Sequence, residues 1–317
     1  MNYFDLHCDT IYELSRYGLH RRPEDTLLHR SGHVDLTRMG IFSQYAQVFA
    51  LFCGAKPIET PRQAHVILSH LIQTAGQAFV QASDRLMHCK TAEDFETACR
   101  EHKTAAFLSI EGAELLQTAE DVQAALDAGV RMVTLTWNHR SPYGCGAATD
   151  DHAGLTPDGI RLSRYLSENG VFMDVSHLSE RGFWDLAQSI SGPILATHSN
   201  SRAMCPHRRN LTDEQFCEII SRDGRVGINL YVPFLTTKDH ASCDDAVRHI
   251  EHFCELGGEH HLCIGADWDG CDRLPDGIRH AADIELLAEA LARYGYSDTQ
   301  ISNLMYDNAK RFVTANF

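Results

Sequence analysis

Eight short, nearly continuous apolar runs alternate with longer stretches of helical spacing along the whole chain. Such runs, rich in Val, Ile, Leu and Phe, are typical of strands buried on both faces of a parallel sheet. This alternation predicts an α/β fold, either a closed (β/α)8 barrel of the TIM type or an open doubly wound sheet. The predicted strands are Tyr3–Asp9, Gln44–Phe52, Thr104–Ile110, Arg131–Trp137, Val171–Ser176, Pro193–Thr197, Arg225–Leu230 and Leu262–Ala266.

Helix start signals fall between the predicted strands. Thr118, Ser179, Thr212 and Ser242 are side chains that commonly cap a helix N-terminus, and each is followed within three residues by an acidic side chain. The first of these helices is expected to end at Gly129, because glycine commonly terminates a helix.

Length and composition restrict the class of protein. A chain of 317 residues suits one (β/α)8 barrel, and without an internal repeat or linker we expect a single domain over residues 1–317. Apolar runs of about 18 residues, which a membrane-spanning helix requires, are missing. Since the start of the chain also lacks signal-peptide features, we expect a cytoplasmic protein.

Charge and cysteine usage exclude further classes. The formal net charge is −15, from 28 basic and 43 acidic side chains, whereas nucleic-acid binding requires a basic face. Eleven cysteines are scattered without a Cys-x-x-Cys pair, which argues against a cysteine zinc site. Nineteen histidines are the more informative excess.

Polar side chains collect where the predicted strands end. A closed barrel brings the carboxyl ends of its first, third, fifth, sixth and eighth strands to one mouth, and an open sheet does not. These ends therefore favour the barrel, with its active site at the mouth. In strand order the polar residues are His7 and Asp9, Glu111, Asn138 and His139, His177, His198, Asn229 and Tyr231, and Asp267 and Asp269.

Five of these side chains form a candidate metal site. His7 and Asp9 are two apart on a strand and so share a face. Three imidazoles with carboxylates suit zinc or a similar divalent ion, and five ligands allow two metals with a bridging carboxylate. Taken singly, each histidine could be a hydrogen-bonded core residue, and Glu111 could be a helix N-terminal acid, a role that Glu114 suits better. The five ligands are His7, Asp9, Glu111, His177 and His198.

Two further residues are candidates for chemistry and substrate binding. Asp267 could receive a proton from a metal-bridging hydroxide and pass it to a leaving amine, or it could be a sixth ligand or a turn residue. The pair Arg208 and Arg209 could clamp a substrate carboxylate, or could lie on a solvated surface.

The combined motifs resemble the membrane (renal-type) dipeptidase family of metal-dependent amidohydrolase barrels, over nearly the whole chain. The segments that carry the resemblance are Asp5–Thr10, Ser109–Gly112, Asp174–Ser179, Thr197–Asn200, Arg208–Thr212 and Gly265–Gly270.

The resemblance implies a role for each candidate. His7 and Asp9 would hold one zinc ion, His177 and His198 a second, and Glu111 would bridge the two Zn²⁺ ions. Asp267 would be the acid/base, Arg209 would bind the C-terminal carboxylate of a dipeptide, and Tyr231 would line the pocket. A C-terminal D-residue and a homodimer are further expectations.

The chain departs from the family at the end of strand four. Well-studied members carry a histidine that polarises the scissile carbonyl at the position of Trp137. A tryptophan cannot act as a cation, so Asn138, His139 or the metal ions are the candidates for that role. Trp137, Asn138 and His139 are therefore predicted substrate-binding residues.

The sequence thus predicts a zinc-dependent dipeptidase. Hydrolysis of a lactone, an N-acyl amino acid or a phosphotriester is an alternative, although many such enzymes bridge their metals with a modified lysine rather than a glutamate. A metal-binding barrel without catalysis is a second alternative. Asp267 argues against it, because that residue contributes chemistry rather than metal affinity.

Overall fold

Eight parallel strands close into a barrel in the computed structural model, which describes residues 1–55, 57–149 and 153–317. Around the barrel the order is β2-β1-β11-β10-β9-β8-β5-β4, and β2 pairs with β4 to complete the circle. The prediction of a (β/α)8 barrel is confirmed, and the open-sheet alternative is excluded. The strands are β1 (Asn2–Cys8), β2 (Gln44–Phe52), β3 (Leu86–His88), β4 (Thr104–Glu111), β5 (Val130–Thr134), β6 (Arg140–Ser141), β7 (Gly144–Cys145), β8 (Phe172–Asp174), β9 (Ile194–Ala196), β10 (Arg225–Ile228) and β11 (Leu262–Ile264).

The closing pair β2 and β4 sets the position of Glu111. These strands run in register from Ala46 opposite Ala105 to Phe52 opposite Glu111. Glu111 is thus the last residue of β4, and its side chain emerges at the barrel mouth. The predicted strand ended one residue earlier.

Three short strands lie outside the predicted set. β3 pairs with the first residues of β4, where Leu86 lies opposite Thr104, while β5 pairs with the later part of β4 on the same side. β6 and β7 form an antiparallel hairpin in the connection after β5.

Helices connect the barrel strands, and the four predicted N-caps are confirmed. Thr118, Ser179 and Thr212 accept a hydrogen bond from the main chain of the first turn, and Ser242 forms a capping box with Asp245. The helices are α1 (Thr10–Leu14), α2 (Leu36–Met39), α3 (Pro61–Gln81), α4 (Ala92–Arg100), α5 (Ala119–Asp127), α6 (Pro157–Glu168), α7 (Glu180–Ser189), α8 (Asp213–Ser221), α9 (Val232–Leu235), α10 (Cys243–Glu255), α11 (Glu285–Arg293), α12 (Asp298–Ser302) and α13 (Asn308–Asn316). Short 3₁₀ turns cover Ala113–Leu115 and Ala281–Ile284, and a π-helical turn covers Asn303–Asp307.

The amino-terminal end of the barrel is filled with apolar side chains. Phe4 and Phe107 stack inside it with ring centroids 5.6 Å apart. They belong to a buried cluster that also contains Tyr306 and Phe312 from the C-terminal segment. Because this end is packed, the cavity of the barrel lies at the opposite end, where the strands finish.

Among the described residues, no helix has both the length and the apolar character needed to cross a membrane.

Candidate active site

The five predicted metal ligands meet at the carboxyl ends of the barrel strands. All are buried. His7 lies in β1 and Asp9 directly follows it, and His7 Nε2 is 3.9 Å from Asp9 Oδ1. His177 and His198 follow β8 and β9, and their Nε2 atoms lie 2.9 Å apart. Strands on different sides of the barrel thus supply one compact group.

Glu111 lies at the centre of this group. Its Oε1 is 2.7 Å from Nε2 of His177 and 3.7 Å from Nε2 of His198. Its Oε2 is 3.5 Å from Nε2 of His7. One carboxylate oxygen therefore faces His177 and His198 and the other faces His7, as a residue that bridges two cations requires.

Three atoms in the group that could bind a metal ion lack a hydrogen-bond partner among the described residues. His7 Nε2, Asp9 Oδ1 and Glu111 Oε2 are buried and have no hydrogen-bond partner among the described residues. Leaving such atoms unpaired is unfavourable, and a cation among them would satisfy all three. Two sets of ligand atoms each lie within 4.8 Å of one another, one from His7, Glu111 and His198 and the other from His7, Asp9 and Asp267. This donor set fits divalent metal ions.

The buried groups of this site shift one another's pKa values. Burial disfavours the charged form of Glu111, but His7 and His177 outweigh it and hold the Glu111 pKa below its ordinary value. Burial lowers the pKa of His198, and the nearby His7 and Arg209 lower it further. Glu111 is therefore a carboxylate and His198 a neutral imidazole, the forms that bind a metal.

Asp267 lies beside the ligand group on the loop after β11. Its Oδ1 is 3.8 Å from His7 Nε2, and its Oδ2 accepts a hydrogen bond of 3.1 Å from Nδ2 of Asn229. The main chain at Asp267 has φ +66°, in the left-handed region that non-glycine residues seldom adopt. The loop is fixed at Asp269, which accepts hydrogen bonds from the Thr10 hydroxyl and the His33 main chain over 2.6 and 2.7 Å.

Arg209 approaches the group from the segment before α8. It is 5% exposed, with Nη2 3.1 Å from His177 Nε2 and the guanidinium 5.3 Å from the Phe234 ring centre. Burial lowers the pKa of Arg209 to about 10, so the side chain remains charged at neutral pH. Its Nε and Nη1 have no hydrogen-bond partner among the described residues. A buried cation with two free donors suits a substrate anion.

The predicted substrate-binding residues in the connection after β5, which are Trp137, Asn138 and His139, differ in position. Trp137 lies against Phe52 and His177, with ring centroids 5.4 and 6.1 Å away. Oδ1 of Asn138 is 2.9 Å from Nδ1 of His177. His139 is exposed and does not line the cavity, and its ring lies edge-on to Trp137 with centroids 5.5 Å apart.

A cavity of about 700 Å³ opens above the ligand group. Its wall includes Trp137, Asn138 and Tyr231, all predicted as substrate-binding residues, together with Asp267. This volume lies within the range of about 300–1,000 Å³ that is typical of small-molecule pockets.

Several residues of this site were given no role from the sequence. Asn229 was noted only as a strand-end residue, and its place after β10 was the signal that could have assigned it. Tyr12 and Phe52 line the cavity, and the apolar run before Phe52 makes that residue look like a core residue.

Comparison with known proteins assigns the family. The sequence profile described as membrane dipeptidase, peptidase family M19, matches residues 1–316. The chain belongs to the membrane dipeptidase family. Members of family M19 are metallo-dipeptidases, and this chain, which has the same barrel fold, is one of them.

Relatives of this M19 chain are similar over most of their length. A protein of the pqqA 5′ region of Klebsiella pneumoniae is 35% identical over 269 residues, which cover 81% of this chain and 96% of that protein. A protein of the PQQ-III 3′ region of Acinetobacter calcoaceticus is 31% identical, over 80% of this chain and 89% of its own.

A solved structure has the same fold throughout. It is a metallo peptidase from Rhodobacter sphaeroides, bound to a phosphinate mimic of the dipeptide L-Ala-D-Ala. It superposes with a TM-score of 0.88 at 26% identity, over 100% of this chain and 99% of that one.

Proposed function

We propose that this M19 dipeptidase binds two Zn²⁺ ions, one on His7 and Asp9 and the other on His177 and His198, with Glu111 between them. The supporting observations are the unpaired buried atoms of His7, Asp9 and Glu111 and the separation of the two Glu111 oxygens. Imidazole and carboxylate donors without cysteine suit zinc.

The reaction follows from the residues around this group. Divalent ions held there would lower the pKa of the attacking water and stabilise negative charge on the carbonyl oxygen. Asp267 would accept the proton of that water at a carboxylate oxygen and donate it to the leaving nitrogen. The water oxygen bonds to the carbonyl carbon, the C–N bond breaks, and an amino acid leaves from each side.

Beside the membership of family M19, Arg209 is the structural observation that best supports a dipeptide substrate. Its guanidinium lies 3.1 Å from the proposed ligand His177, and two of its nitrogens have no partner in the part of the chain that the structure describes. A C-terminal carboxylate bound there would leave room for only one residue between the carboxylate and the scissile bond. Tyr231, Trp137 and Asn138 would contact the substrate from the cavity wall, and His139 stays a predicted contact although its side chain is exposed.

The stereochemistry of the C-terminal residue is part of the proposal. The similar Rhodobacter sphaeroides enzyme was crystallised with a mimic of L-Ala-D-Ala. We therefore expect this chain to hydrolyse dipeptides with a C-terminal D-residue as well as L-L dipeptides.

The test is hydrolysis of L-L dipeptides, L-D dipeptides and N-acyl amino acids by chelator-treated protein, before and after zinc is restored. Recovery of dipeptide cleavage with two zinc ions per chain would support the proposal. Cleavage of N-acyl amino acids alone would overturn the dipeptide assignment. Full activity with one ion would overturn the two-metal assignment.

We also propose that residues 1–317 act as one catalytic domain, because every proposed site residue comes from the same barrel. A homodimer stays a prediction, which sedimentation velocity of the purified chain would check.

A further inference from the structure

The two histidines proposed for one metal ion differ in what holds their second ring nitrogen. His198 Nδ1 lies 2.8 Å from the hydroxyl of Thr197, and that hydroxyl donates a hydrogen bond of 2.6 Å to the buried carboxylate of Asp174. His177 Nδ1 has a different partner, the amide oxygen of Asn138 at 2.9 Å.

The direction of the Asn138 contact follows from the other side of the His177 ring. His177 Nε2 faces Glu111 and His198 at 2.7 and 2.9 Å, and Nη2 of Arg209, which can only donate, lies 3.1 Å from it. Nε2 is therefore the nitrogen whose lone pair faces the proposed metal site. A neutral imidazole that binds through Nε2 carries its proton on Nδ1. Nδ1–H therefore donates, and the amide oxygen of Asn138 accepts.

The main chain keeps Asn138 and His177 at a fixed separation. Ala147 N–H donates to the carbonyl oxygen of His177 over 2.8 Å, and Ala148 N–H donates to that of Asn138 over 2.9 Å. The segment after β7 thus ties both residues to successive amides. A side chain at Gly146 would collide with this arrangement, because its Cβ would lie 2.0 Å from the carbonyl oxygen of Trp137.

From this geometry we propose that Asn138 is a positioning residue for the metal-ligating His177. Its amide oxygen fixes the tautomer of His177, and the Trp137 ring beside the imidazole restricts its tilt. This inference rests on the proposed metal site. It assigns to Asn138 a role that acts through His177, in addition to any contact with the substrate.

The experiment uses Asn138→Ala, Asn138→Asp and the control Thr149→Val. Within the described residues, the Thr149 hydroxyl donates a hydrogen bond of 2.7 Å to the Gly146 carbonyl oxygen in the same loop. Chelator-treated proteins are titrated with Co²⁺, and affinity, stoichiometry and visible absorption bands are recorded. We expect Asn138→Ala to weaken the binding of one Co²⁺ ion by about 10–100-fold and to shift the visible absorption bands of that ion. Asn138→Asp keeps an acceptor oxygen, so it should restore the affinity, and Thr149→Val should match the wild type.

His177→Ala separates failure of this inference from failure of the proposed metal site. Loss of one ion in His177→Ala with unchanged affinity and bands in Asn138→Ala would overturn the inference alone. Two ions bound normally by His177→Ala would overturn the metal assignment and the inference together.

A second measurement needs no folded Asn138 variant. In the zinc-loaded wild type, histidine ring ¹H–¹⁵N spectra should contain one Nδ1–H signal that is lost in His177→Ala and exchanges slowly with solvent. A His177 ring protonated at Nε2 instead would overturn the proposal.

Discussion

Asn229 donates a hydrogen bond from its amide nitrogen to Oδ2 of Asp267 across 3.1 Å. Asn229 is itself held, because its Oδ1 accepts a hydrogen bond of 2.6 Å from the Tyr231 main chain. Its own N–H donates to Oδ1 of Asn200 over 2.9 Å. The Asp267 carboxylate is thus turned so that Oδ1 faces His7, at 3.8 Å.

Replacing Asn229 with Ala should lower kcat more than it changes KM. A hydrogen bond to a charged group contributes about 1.5–3 kcal/mol, so a fall in kcat of roughly 10- to 100-fold is expected. Steady-state kinetics with a dipeptide measure this, and metal content and thermal unfolding identify any loss of folded enzyme. Unchanged kcat in a folded variant with two metal ions would show that Asn229 does not position Asp267.

Replacing Asp267 with Asn tests whether this side chain moves a proton or binds metal. The second role is a real alternative, because ligand atoms of His7, Asp9 and Asp267 lie within 4.8 Å of one another. As acid/base, Asp267→Asn should lower kcat by about 10²–10⁴-fold and retain both ions. Metal analysis and kinetics on the same preparation decide between the roles, since loss of an ion along with activity would make Asp267 a ligand.

The barrel and the composition of the site could be predicted because both depend on strand ends. His7 lies near the end of β1 with Asp9 directly after the strand, and Glu111 ends β4, so patterns along the sequence locate them. β3 was missed, because three residues between polar neighbours are too short to give a pattern.

Contacts between loops could not be predicted in this way. The bond between Asn138 and His177 depends on the course of the chain through β6 and β7, and nothing next to Asn138 in the sequence indicates it. His139, one residue later, has the same local sequence context as Asn138 but is exposed and does not line the cavity.

Asp269 should be important for stability rather than chemistry. Its carboxylate forms an ion pair with Arg30, and both side chains are 3% exposed. Asp269→Asn would leave the Arg30 guanidinium buried without its counterion, so the free energy of unfolding should fall by about 3–5 kcal/mol. Urea unfolding of the chelator-treated proteins measures this without a contribution from metal binding. A loss under about 1 kcal/mol would contradict the buried-pair argument.

The difference in unfolding free energy between the wild type and Asp269→Asn should shrink as the pH falls. Burial disfavours the charged form of Asp269, but Arg30 and His33 outweigh it and hold the Asp269 pKa below its ordinary value. A carboxyl with a lowered folded-state pKa stabilises the fold above its unfolded pKa of about 3.9 and loses that contribution as pH falls through the folded-state value. Unfolding free energies of wild type and Asp269→Asn should therefore converge only below about pH 4. Convergence between pH 7 and 5 would show that another group is responsible.

Arg209 should discriminate between a dipeptide and the same dipeptide with a C-terminal amide. Its Nε and Nη1 lack partners among the described residues, so the guanidinium keeps hydrogen-bond donors for a carboxylate. In the wild type, amidation should reduce kcat/KM by about 100-fold or more, chiefly through KM, because the buried cation is left without a counterion. Arg209→Lys keeps the charge but loses the planar set of guanidinium donors, so it should retain part of the discrimination, and Arg209→Met should lose nearly all of it. The ratio of kcat/KM for the two substrates is insensitive to the fraction of active enzyme, so partial misfolding does not affect the result. Equal discrimination in the wild type and in Arg209→Met would mean that the C-terminal carboxylate binds elsewhere in the cavity.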